Sequence, residues 1–552
     1  MKINDILHFL IIPAIIGILG AVAAIIFRLF IKFFYIFFNT INFIHTKYFY
    51  IFSIPLIFFI TYKIINKLKI DPSNVTVDNV AKKIALLGGK FSVLKGMVVL
   101  FLTSISIGAG MPIGREGPIA KLGALLSDIF LNFIKISREN FQIYLTTGVS
   151  SAIAATFNAP IAGIILGLEI VIGKINTYII IPMIVAVATS TSISREFLGN
   201  YPAFIVPHLT YHSDYLYLIA TFEAVIIGLM ALFLNKSIKF FESFKTKAIW
   251  SKIIIFMGII TAILIILVPQ IAGVGYNYIT LLFNNQYTFH QSIIIAIAKL
   301  LGTALALGSG LFGGIMSPSI FIGAFSGFAI GDYFQFIHHI DPRIFALIGS
   351  AAMLAGVTKT PLRSSVIITE LTHSYQLLIP ILITSALTTL ITATFDKGSY
   401  FRRSLLQKGI DIENENISSF LDNINIEKYI SPIPSITKNT SIKRAIQVFN
   451  ISRSKYLPVT QNRKLVGIVS LRDIRKSQLT LKKVKKVKEI MTKNPYHLTN
   501  NYTKNDILKI LSHLEKDYIP YTNAEGIYFG MIDMNKLLKD LTFSIQKNKM
   551  CL

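Results

Sequence analysis

The sequence predicts an all-α polytopic membrane domain with an internal repeat, followed by a small α/β region. Of 552 residues, 53% are hydrophobic and 15% are charged, whereas a soluble domain carries roughly 25% charged residues. Apolar stretches recur from residue 6 to residue 395, and the sequence beyond them is polar. A glycine and proline pattern also occurs twice within the apolar part. These three observations predict many membrane-embedded helices in two related halves.

Fourteen apolar stretches predict the individual helices of the membrane domain. They lie at 6–33, 47–65, 92–108, 117–135, 142–155, 160–173, 177–195, 215–235, 252–269, 291–308, 319–337, 343–356, 363–372 and 376–395. Several are shorter than the ~20 residues that cross a bilayer, and glycines and prolines interrupt them. Broken helices at membrane depth are tolerated where they face protein or a watery cavity. The pattern therefore predicts a transport path.

The duplication is visible position by position. Gly108, Gly110, Gly114, Pro118, Gly123 and Ala124 recur as Gly308, Gly310, Gly314, Pro318, Gly323 and Ala324, each pair 200 positions apart. Pro160 and Glu169 recur as Pro361 and Glu370, 201 positions apart. So many matches at offsets of 200 and 201 positions indicate two repeat halves. The sequence does not establish whether the halves are inverted.

These patterns divide the chain into predicted domains. The membrane transport domain spans 1–410, with repeat halves at 1–200 and 201–410, and a linker spans 411–426. Two similar units of short strands and one helix follow at 427–480 and 485–541. A lysine run between them predicts a solvated linker, with contact to anionic lipid headgroups as the alternative.

The formal charge of +26 does not predict a nucleic-acid partner, because basic residues flanking apolar spans are expected in membrane proteins. The single cysteine, Cys551, excludes a disulfide or a cysteine-ligated metal site within one chain. No Ser/His/Asp set, metal-ligand cluster or phosphate loop is recognisable. We therefore expect no enzyme, no resident metal and no required cofactor.

The run Gly108–Pro118, GAGMPIGREGP, carries the strongest functional signal. Ionisable residues inside a membrane segment are costly and usually functional. Gly117 and Pro118 open a helix, and the free backbone N–H groups at a helix start attract anions. A carboxylate at Glu116 would take an anion's place when ionised and release it when protonated, so Glu116 is the predicted gate. The alternative is that Glu116 pairs with Arg115 as a structural lock.

The second copy, GSGLFGGIMSP at Gly308–Pro318, again places glycines before a helix start. Backbone amides of Ile315 and Met316 are predicted to serve the same anion from the other half. The alternative is a close-packed glycine turn.

These motifs resemble those of the CLC family of chloride channels and chloride/proton exchangers. The matching features are Gly114–Pro118 (GREGP), the block Phe157–Gly163 (FNAPIAG) followed by Glu169, the second glycine motif, and Tyr400 after a Lys-Gly-Ser sequence. The resemblance implies a homodimer with one pore per subunit and inverted repeats. It also implies that Glu116 is the extracellular gating glutamate.

The family's anion site can be carried over to several positions of this chain. The resemblance implies contacts from Gly114, Arg115 and Gly117 around the gate. It further implies a central anion touched by the Tyr400 hydroxyl and by backbone amides around Ile315 and Met316.

Three positions depart from the family pattern. The first anion motif is reduced to Ser73 in Asp71–Thr76, which keeps the hydroxyl without the surrounding glycines and proline. Met316 stands where a phenylalanine is usual, so a flexible thioether replaces a rigid ring. Ile170 occupies the position of the internal proton glutamate of exchangers, and Glu169 precedes it, about 100° away on a helix. Proton coupling therefore stays open.

The two units after the membrane domain resemble a tandem pair of CBS domains, which many family members carry on the cytoplasmic side. In the first unit, Ser470 and Asp473 stand where such domains hold the phosphate and ribose of a nucleotide. The second unit has Asp533 and Lys536 there instead. We expect at most one adenine-nucleotide site, and the alternative is a purely structural pair.

The predicted function is voltage- or pH-gated passage of chloride past Glu116, either as a passive channel or in exchange for protons. A CBS-containing magnesium transporter is the rival, although a hard cation needs oxygen ligands that the apolar spans supply sparsely. We expect a multi-pass plasma (inner) membrane protein with cytoplasmic CBS domains. Its expected partners are the lipid bilayer, chloride, protons in the exchange form, and a second copy of the chain.

Overall fold

The computed structural model describes most of the chain as two compact units, residues 1–404 and 405–552. Within them, the described residues are 7–45, 47–68, 70, 80, 84, 91–134, 136, 138–168, 177–200, 206–207, 215–246, 250–338, 340–396, 425–452, 454–474, 486–502, 506, 518–534 and 536–537.

The first unit is built from helices in its described part. In chain order they are α1 (Ile12–His45), α2 (Tyr50–Leu68), α3 (Val93–Gly108), α4 (Glu116–Phe133), α5 (Arg138–Phe157), α6 (Pro160–Leu166), α7 (Thr177–Leu198), α8 (Leu216–Ser243), α9 (Trp250–Leu267), α10 (Tyr276–Phe283), α11 (Phe289–Gly308), α12 (Met316–His338), α13 (Pro342–Thr358), α14 (Pro361–Thr372) and α15 (Leu378–Phe395). Seven helical segments among the described residues are long and apolar enough to cross a membrane. The predicted multi-pass helical domain is confirmed.

The repeat is visible in the order and length of the helices. Helices α1–α7 correspond in order to α8, α9 and α11–α15, and α4 and α12 begin exactly 200 positions apart, at Glu116 and Met316. The predicted spans coincide with these helices, apart from shifts at their ends. Two differences stand out: α1 runs twelve residues beyond the predicted end at residue 33, and α10 was not predicted at all.

Equivalent turns close the helices that precede the two functional motifs. Gly110 and Gly310 have φ of 96° and 90°, a conformation that glycine adopts without steric cost. Their N–H groups donate to Ile107 and Leu307 at 3.0 Å in both cases. The same helix-ending turn is therefore built twice, because the same residue type stands at the left-handed position of each half.

Polar residues inside the apolar helices satisfy their hydroxyls locally. Thr103, Ser104 and Ser106 of α3 each donate to the carbonyl oxygen four residues earlier, at 2.8 Å. Such bonds remove the cost of an unpaired hydroxyl in an apolar setting. The core of this unit consequently accommodates small hydroxyl residues between helices that pack closely.

The second unit contains two four-stranded sheets and one described helix, α16 (Ile442–Ser452). The strands are β1 (Ile430–Ser431), β2 (Ile436–Thr437), β3 (Tyr456–Gln461), β4 (Lys464–Ser470), β5 (Thr492–Lys493), β6 (Leu498–Thr499), β7 (Tyr518–Thr522) and β8 (Tyr528–Asp533). Their orders are β1-β8-β7-β6 and β2-β3-β4-β5. The predicted small α/β region is confirmed.

The two sheets exchange their outer strands. β1 pairs antiparallel with β8, through Ile430 opposite Ile532, while β5 pairs antiparallel with β4. Each sheet is thus completed by a strand from the other predicted unit. A boundary drawn by sequence order alone, at 427–480 and 485–541, separates strands that the fold joins.

Candidate functional site

The starts of α4 and α12 meet where the two repeat halves touch. Gly114 N–H donates to Gly314 O, and Gly314 N–H donates to Gly114 O, both at 2.7 Å. These equivalent residues form an antiparallel bridge, so a local two-fold relation links the halves at this point. The duplicated glycine motifs, 200 positions apart in sequence, therefore form one site.

Glu116 is the first residue of α4, and its side chain crosses to the other half. The residue is buried, with 1% exposure. Its Oε1 accepts from the Ser317 backbone N–H at 3.0 Å and from the Ser317 hydroxyl. Among the described residues, its Oε2 has no hydrogen-bond partner. A carboxylate held at the start of α12 occupies a position that suits a small anion.

Both bridge glycines leave the space that the carboxylate fills. A Cβ built on Gly114 or on Gly314 would overlap the carboxyl group of Glu116. No larger residue fits at either position without moving that group. The glycines are therefore required by the close approach of Glu116 to the backbone, in addition to their mutual hydrogen bonds.

Arg115 does not pair with Glu116 in the described part of the structure, where the ion pairs involve other residues. Its guanidinium carbon lies 5.1 Å from the ring centre of Phe157 and 5.8 Å from that of Tyr276. These are distances at which cations and aromatic faces attract. The lock between Arg115 and Glu116 that we considered as an alternative is absent from the described contacts.

Tyr276, the first residue of α10, contacts the residue that binds Glu116. Its hydroxyl donates to Ser317 Oγ at 3.1 Å. The loop that leads to it is held by Lys299, which is fully buried and donates to the carbonyl oxygens of Ile271 and Gly273 at 2.8 and 2.6 Å. Tyr276 thus contacts Ser317, which in turn donates to the Glu116 carboxylate.

Met316 and Ile315 are buried at the start of α12. Met316 lines an apolar cavity together with residues from both halves: Ile153, Phe157, Ala159, Ala162, Ile320 and Ile367. The carboxylate of Glu116 takes its hydrogen bonds from Ser317, one residue beyond the predicted pair of amides. The residues that were predicted to flank the anion therefore lie beside Glu116, and their contact with an anion stays a prediction.

A second link joins the halves at the start of α6. The Glu370 carboxylate accepts from the N–H groups of Ile161 and Ala162 at 2.9 and 2.7 Å. It thereby satisfies amides that a helix start leaves without intrahelical partners. Glu370 was predicted only as the repeat partner of Glu169.

In the second unit, Ser470 and Asp473 are adjacent. Asp473 Oδ2 accepts from Ser470 N–H at 2.9 Å and from Ser470 Oγ at 2.7 Å. In the other sheet, Asp533 Oδ1 accepts from Lys536 N–H at 3.1 Å. The two residues that were predicted to bind a nucleotide therefore lie together at the end of a strand, where they form hydrogen bonds with each other.

Other predicted positions lie outside the described residues, namely Ser73, Glu169, Ile170 and Tyr400. Sequence reasoning also missed two contributors, Ser317 and Tyr276. Ser317 had a usable signal, because it precedes Pro318 at the position that Gly117 holds in the first motif. Tyr276 had none, since its helix is only eight residues long and its partner is 41 positions away.

The comparison with protein families decides the membership of the chain. The family model described as voltage gated chloride channel matches residues 56–393, more than half of the chain. The chain belongs to this family. A CBS domain model matches residues 426–479. The family resemblance suggested by the GREGP and FNAP motifs is confirmed, and the magnesium transporter alternative is not favoured.

Named relatives of the family agree with this assignment. The chain is 29% identical over 324 residues to a putative chloride channel protein ClcB-like of Ralstonia nicotianae, covering 56% of this chain and 74% of that protein. It is 30% identical over 318 residues to the H(+)/Cl(-) exchange transporter ClcA of Citrobacter koseri, covering 55% and 66%. The match therefore spans slightly less than two thirds of the exchanger.

Solved structures show the same fold at low sequence identity. A slow cyanobacterial Cl−/H+ antiporter superposes with a TM-score of 0.66 at 19% identity, covering 72% of this chain and 97% of the antiporter. A eukaryotic CLC transporter superposes with a TM-score of 0.65 at 16% identity, covering 96% and 98%. The fold of the family is thus present in the described helices.

Proposed function

We propose that the chain carries chloride across a membrane and that Glu116 is the gate of the path. The observation that carries this proposal is the position of the Glu116 carboxylate, buried between two helix starts and hydrogen-bonded to Ser317 of the opposite half. An anionic group in that position competes with a transported anion for the same donors. Family membership and the chloride named for the relatives support chloride as the ion.

Proton-coupled exchange is the form that we favour. The carboxylate must leave Ser317, or take up a proton, before an anion occupies its place. A relative at 30% identity is named an H(+)/Cl(-) exchange transporter, which supports coupling. Passive chloride passage is the second candidate, favoured by Ile170 at the position where the family resemblance expects an internal glutamate.

Reconstituted protein separates the two forms. The full-length chain is placed in liposomes with a chloride gradient and no initial pH difference, and proton movement is followed with a pH-sensitive dye. Exchange predicts that the chloride gradient drives protons across the membrane and builds up a pH difference. Brisk chloride flux without proton movement supports passive passage, and the absence of chloride flux refutes the transport proposal.

Glu116→Gln and Glu116→Ala test the gate. Both variants lose the titratable carboxyl group, so we expect chloride flux to lose its dependence on pH while chloride still passes. Glu196→Gln is the matched control, since Glu196 is an exposed glutamate of α7. A Glu116→Gln protein whose flux still follows pH would contradict the assignment.

Further parts of the proposal rest on the family resemblance. We propose a homodimer in the plasma membrane with the CBS pair on the cytoplasmic side, and one adenine-nucleotide site at Ser470 and Asp473. Binding of ATP and AMP to the full-length protein, compared with Asp473→Asn, tests that site. Cross-linking in the membrane tests the dimer.

A further inference from the structure

A continuous series of hydrogen bonds connects a partly exposed tyrosine to the buried gate. Tyr276 Oη donates to Ser317 Oγ at 3.1 Å, and Ser317 Oγ donates to Glu116 Oε1. Ser317 and Glu116 have 0% and 1% exposure, whereas Tyr276 is partly exposed. We propose that Tyr276 and Ser317 form a proton relay that protonates Glu116 in place, before its carboxylate leaves the pocket. The relay deepens the function proposed for Glu116 and rests on it.

The transfer balances without any additional reactant. A hydronium ion gives a proton to Tyr276 Oη while the proton already on that oxygen passes to Ser317 Oγ. The Ser317 proton passes in turn to Glu116 Oε1, which becomes a neutral carboxylic acid. Both hydroxyls end with one proton each, and water is the only product outside the relay. Each group has the donor and acceptor capacity that its step requires.

The hydroxyl of Ser317 is not needed merely to hold the carboxylate. The Ser317 backbone N–H already donates to the same Oε1 at 3.0 Å, as any residue other than proline would at this helix position. The side chain adds a second donor to the same oxygen, and that donor is itself backed by the Tyr276 hydroxyl. Two hydroxyls in series pointing at one carboxylate oxygen form a path for protons as well as a binding contact.

The tyrosine is fixed in place by groups that carry charge. Arg115 lies against its ring, and Arg28 of α1 is near enough to interact electrostatically with both Arg115 and Tyr276. Lys299 holds the loop before α10. Arg115 and Arg28 are thus the cations that act on Tyr276, whereas Lys299 binds the carbonyl oxygens of the loop and not the hydroxyl groups of the relay.

Time-resolved infrared spectroscopy measures the protonation of Glu116 directly. After a jump to acidic pH, the full-length protein should gain a carboxylic acid C=O band that Glu116→Gln lacks. Ser317→Ala and Tyr276→Phe should slow the growth of that band on the order of a hundredfold, the range for a lost proton-transferring side chain. The double variant should be no slower than the slower single variant, because both residues act in one path.

Matched controls keep the relay apart from structural effects. Ser319→Ala removes a neighbouring hydroxyl of α12 that bonds to Ile315 O, and Tyr278→Phe removes another tyrosine hydroxyl of α10. Both should retain the rate of the unchanged protein. Tyr276→Phe also keeps the ring that contacts Arg115, so a rate change reports the hydroxyl alone.

Three results would overturn the relay. They are unchanged rates in both relay variants, additive slowing in the double variant, and a band that persists in Glu116→Gln. The measurement does not use chloride flux, so its failure is distinct from a failure of the proposed transport function. A protein with intact infrared kinetics but no flux in liposomes would refute the transport proposal, and the relay would then lose its role in transport although proton transfer to Glu116 had been observed.

Discussion

The two halves of the membrane domain share a frame but differ in the chemistry that they place on it. In the first half, the helix start carries Arg115 and Glu116, whereas the second half carries Ile315 and Met316 at the equivalent positions. The glycines before them match, and they bond to each other reciprocally. The first half therefore supplies the negative group, and the second half supplies the Ser317 donors that bind it.

The proposed gate needs a symmetric backbone frame that carries different side chains in its two halves. If both halves carried a carboxylate, the two charges would repel each other across the bridge. If both halves carried only donors, an anion would be bound with no carboxylate to compete with it. The same asymmetry holds for the helices before the two motifs. Buried Lys299 in α11 donates to a carbonyl oxygen of the loop, whereas the equivalent residue in α3 is the buried and apolar Val99. The two copies of the motif therefore form one frame and place different side chains on it.

Gly314→Ala should have the largest effect on the contact between the two halves. The added methyl group overlaps the Glu116 carboxyl group and displaces it from Ser317. Hydrogen bonds to a charged group contribute about 1.5–3 kcal/mol, so flux at a pH where the gate is closed should rise by at least about tenfold. In a Glu116→Ala background the same change should add nothing. Equal effects in both backgrounds would show that the carboxylate is not the group displaced.

Lys299→Met should destabilise the second half. The change leaves the carbonyl oxygens of Ile271 and Gly273 without the ammonium donor, and an unpaired buried polar group costs about 1–3 kcal/mol. We expect a lower melting temperature of the full-length protein in detergent. The control is Lys252→Met, at an exposed lysine of α9, where an effect within about 0.5 kcal/mol is expected. Equal melting temperatures for the two variants would contradict this role.

Glu370→Gln should weaken the second link between the halves. The amide keeps one acceptor oxygen, so one of the N–H groups of Ile161 and Ala162 loses its partner. Loss of a helix-capping contact costs about 1 kcal/mol. Hydrogen–deuterium exchange should become faster at the start of α6 and stay unchanged at the start of α4. Unchanged exchange at α6 would argue against the cap.

Tyr528→Phe tests the second unit, where each sheet is completed by a strand from the other predicted CBS domain. Tyr528 Oη donates to Ile433 O at 2.8 Å, and its removal should cost about 1 kcal/mol. Burial raises the pKa of Tyr528 above its ordinary value. Its contribution is therefore complete below the ordinary tyrosine pKa of about 10 and is lost as pH rises toward the folded-state pKa.

The measurement is hydrogen–deuterium exchange of β8 in the full-length protein between neutral and alkaline pH, corrected for intrinsic exchange rates. The unchanged protein should lose protection at alkaline pH, and Tyr528→Phe should lose less. Tyr456→Phe is the control. A variant with the same alkaline slope as the unchanged protein would exclude Tyr528 as the titrating group.

The membrane class, the repeat, the α/β region and the position of Glu116 could all be predicted from the sequence. Those features follow from local patterns in the sequence, namely apolar runs, the spacing of glycine and proline, and short motifs that recur after about 200 positions. Family membership then confirmed the resemblance that these motifs carried.

The contacts of Glu116, in contrast, depend on how distant parts of the chain pack together. Ser317 lies 201 positions away from Glu116, Tyr276 reaches Ser317 from a helix too short to give a periodic signal, and the two sheets exchange strands across a predicted boundary. Such contacts depend on how distant segments pack, which no local pattern of side chains encodes. The proposed gate residue could therefore be predicted from the sequence, whereas its hydrogen-bond partners are brought to it only where the two halves meet.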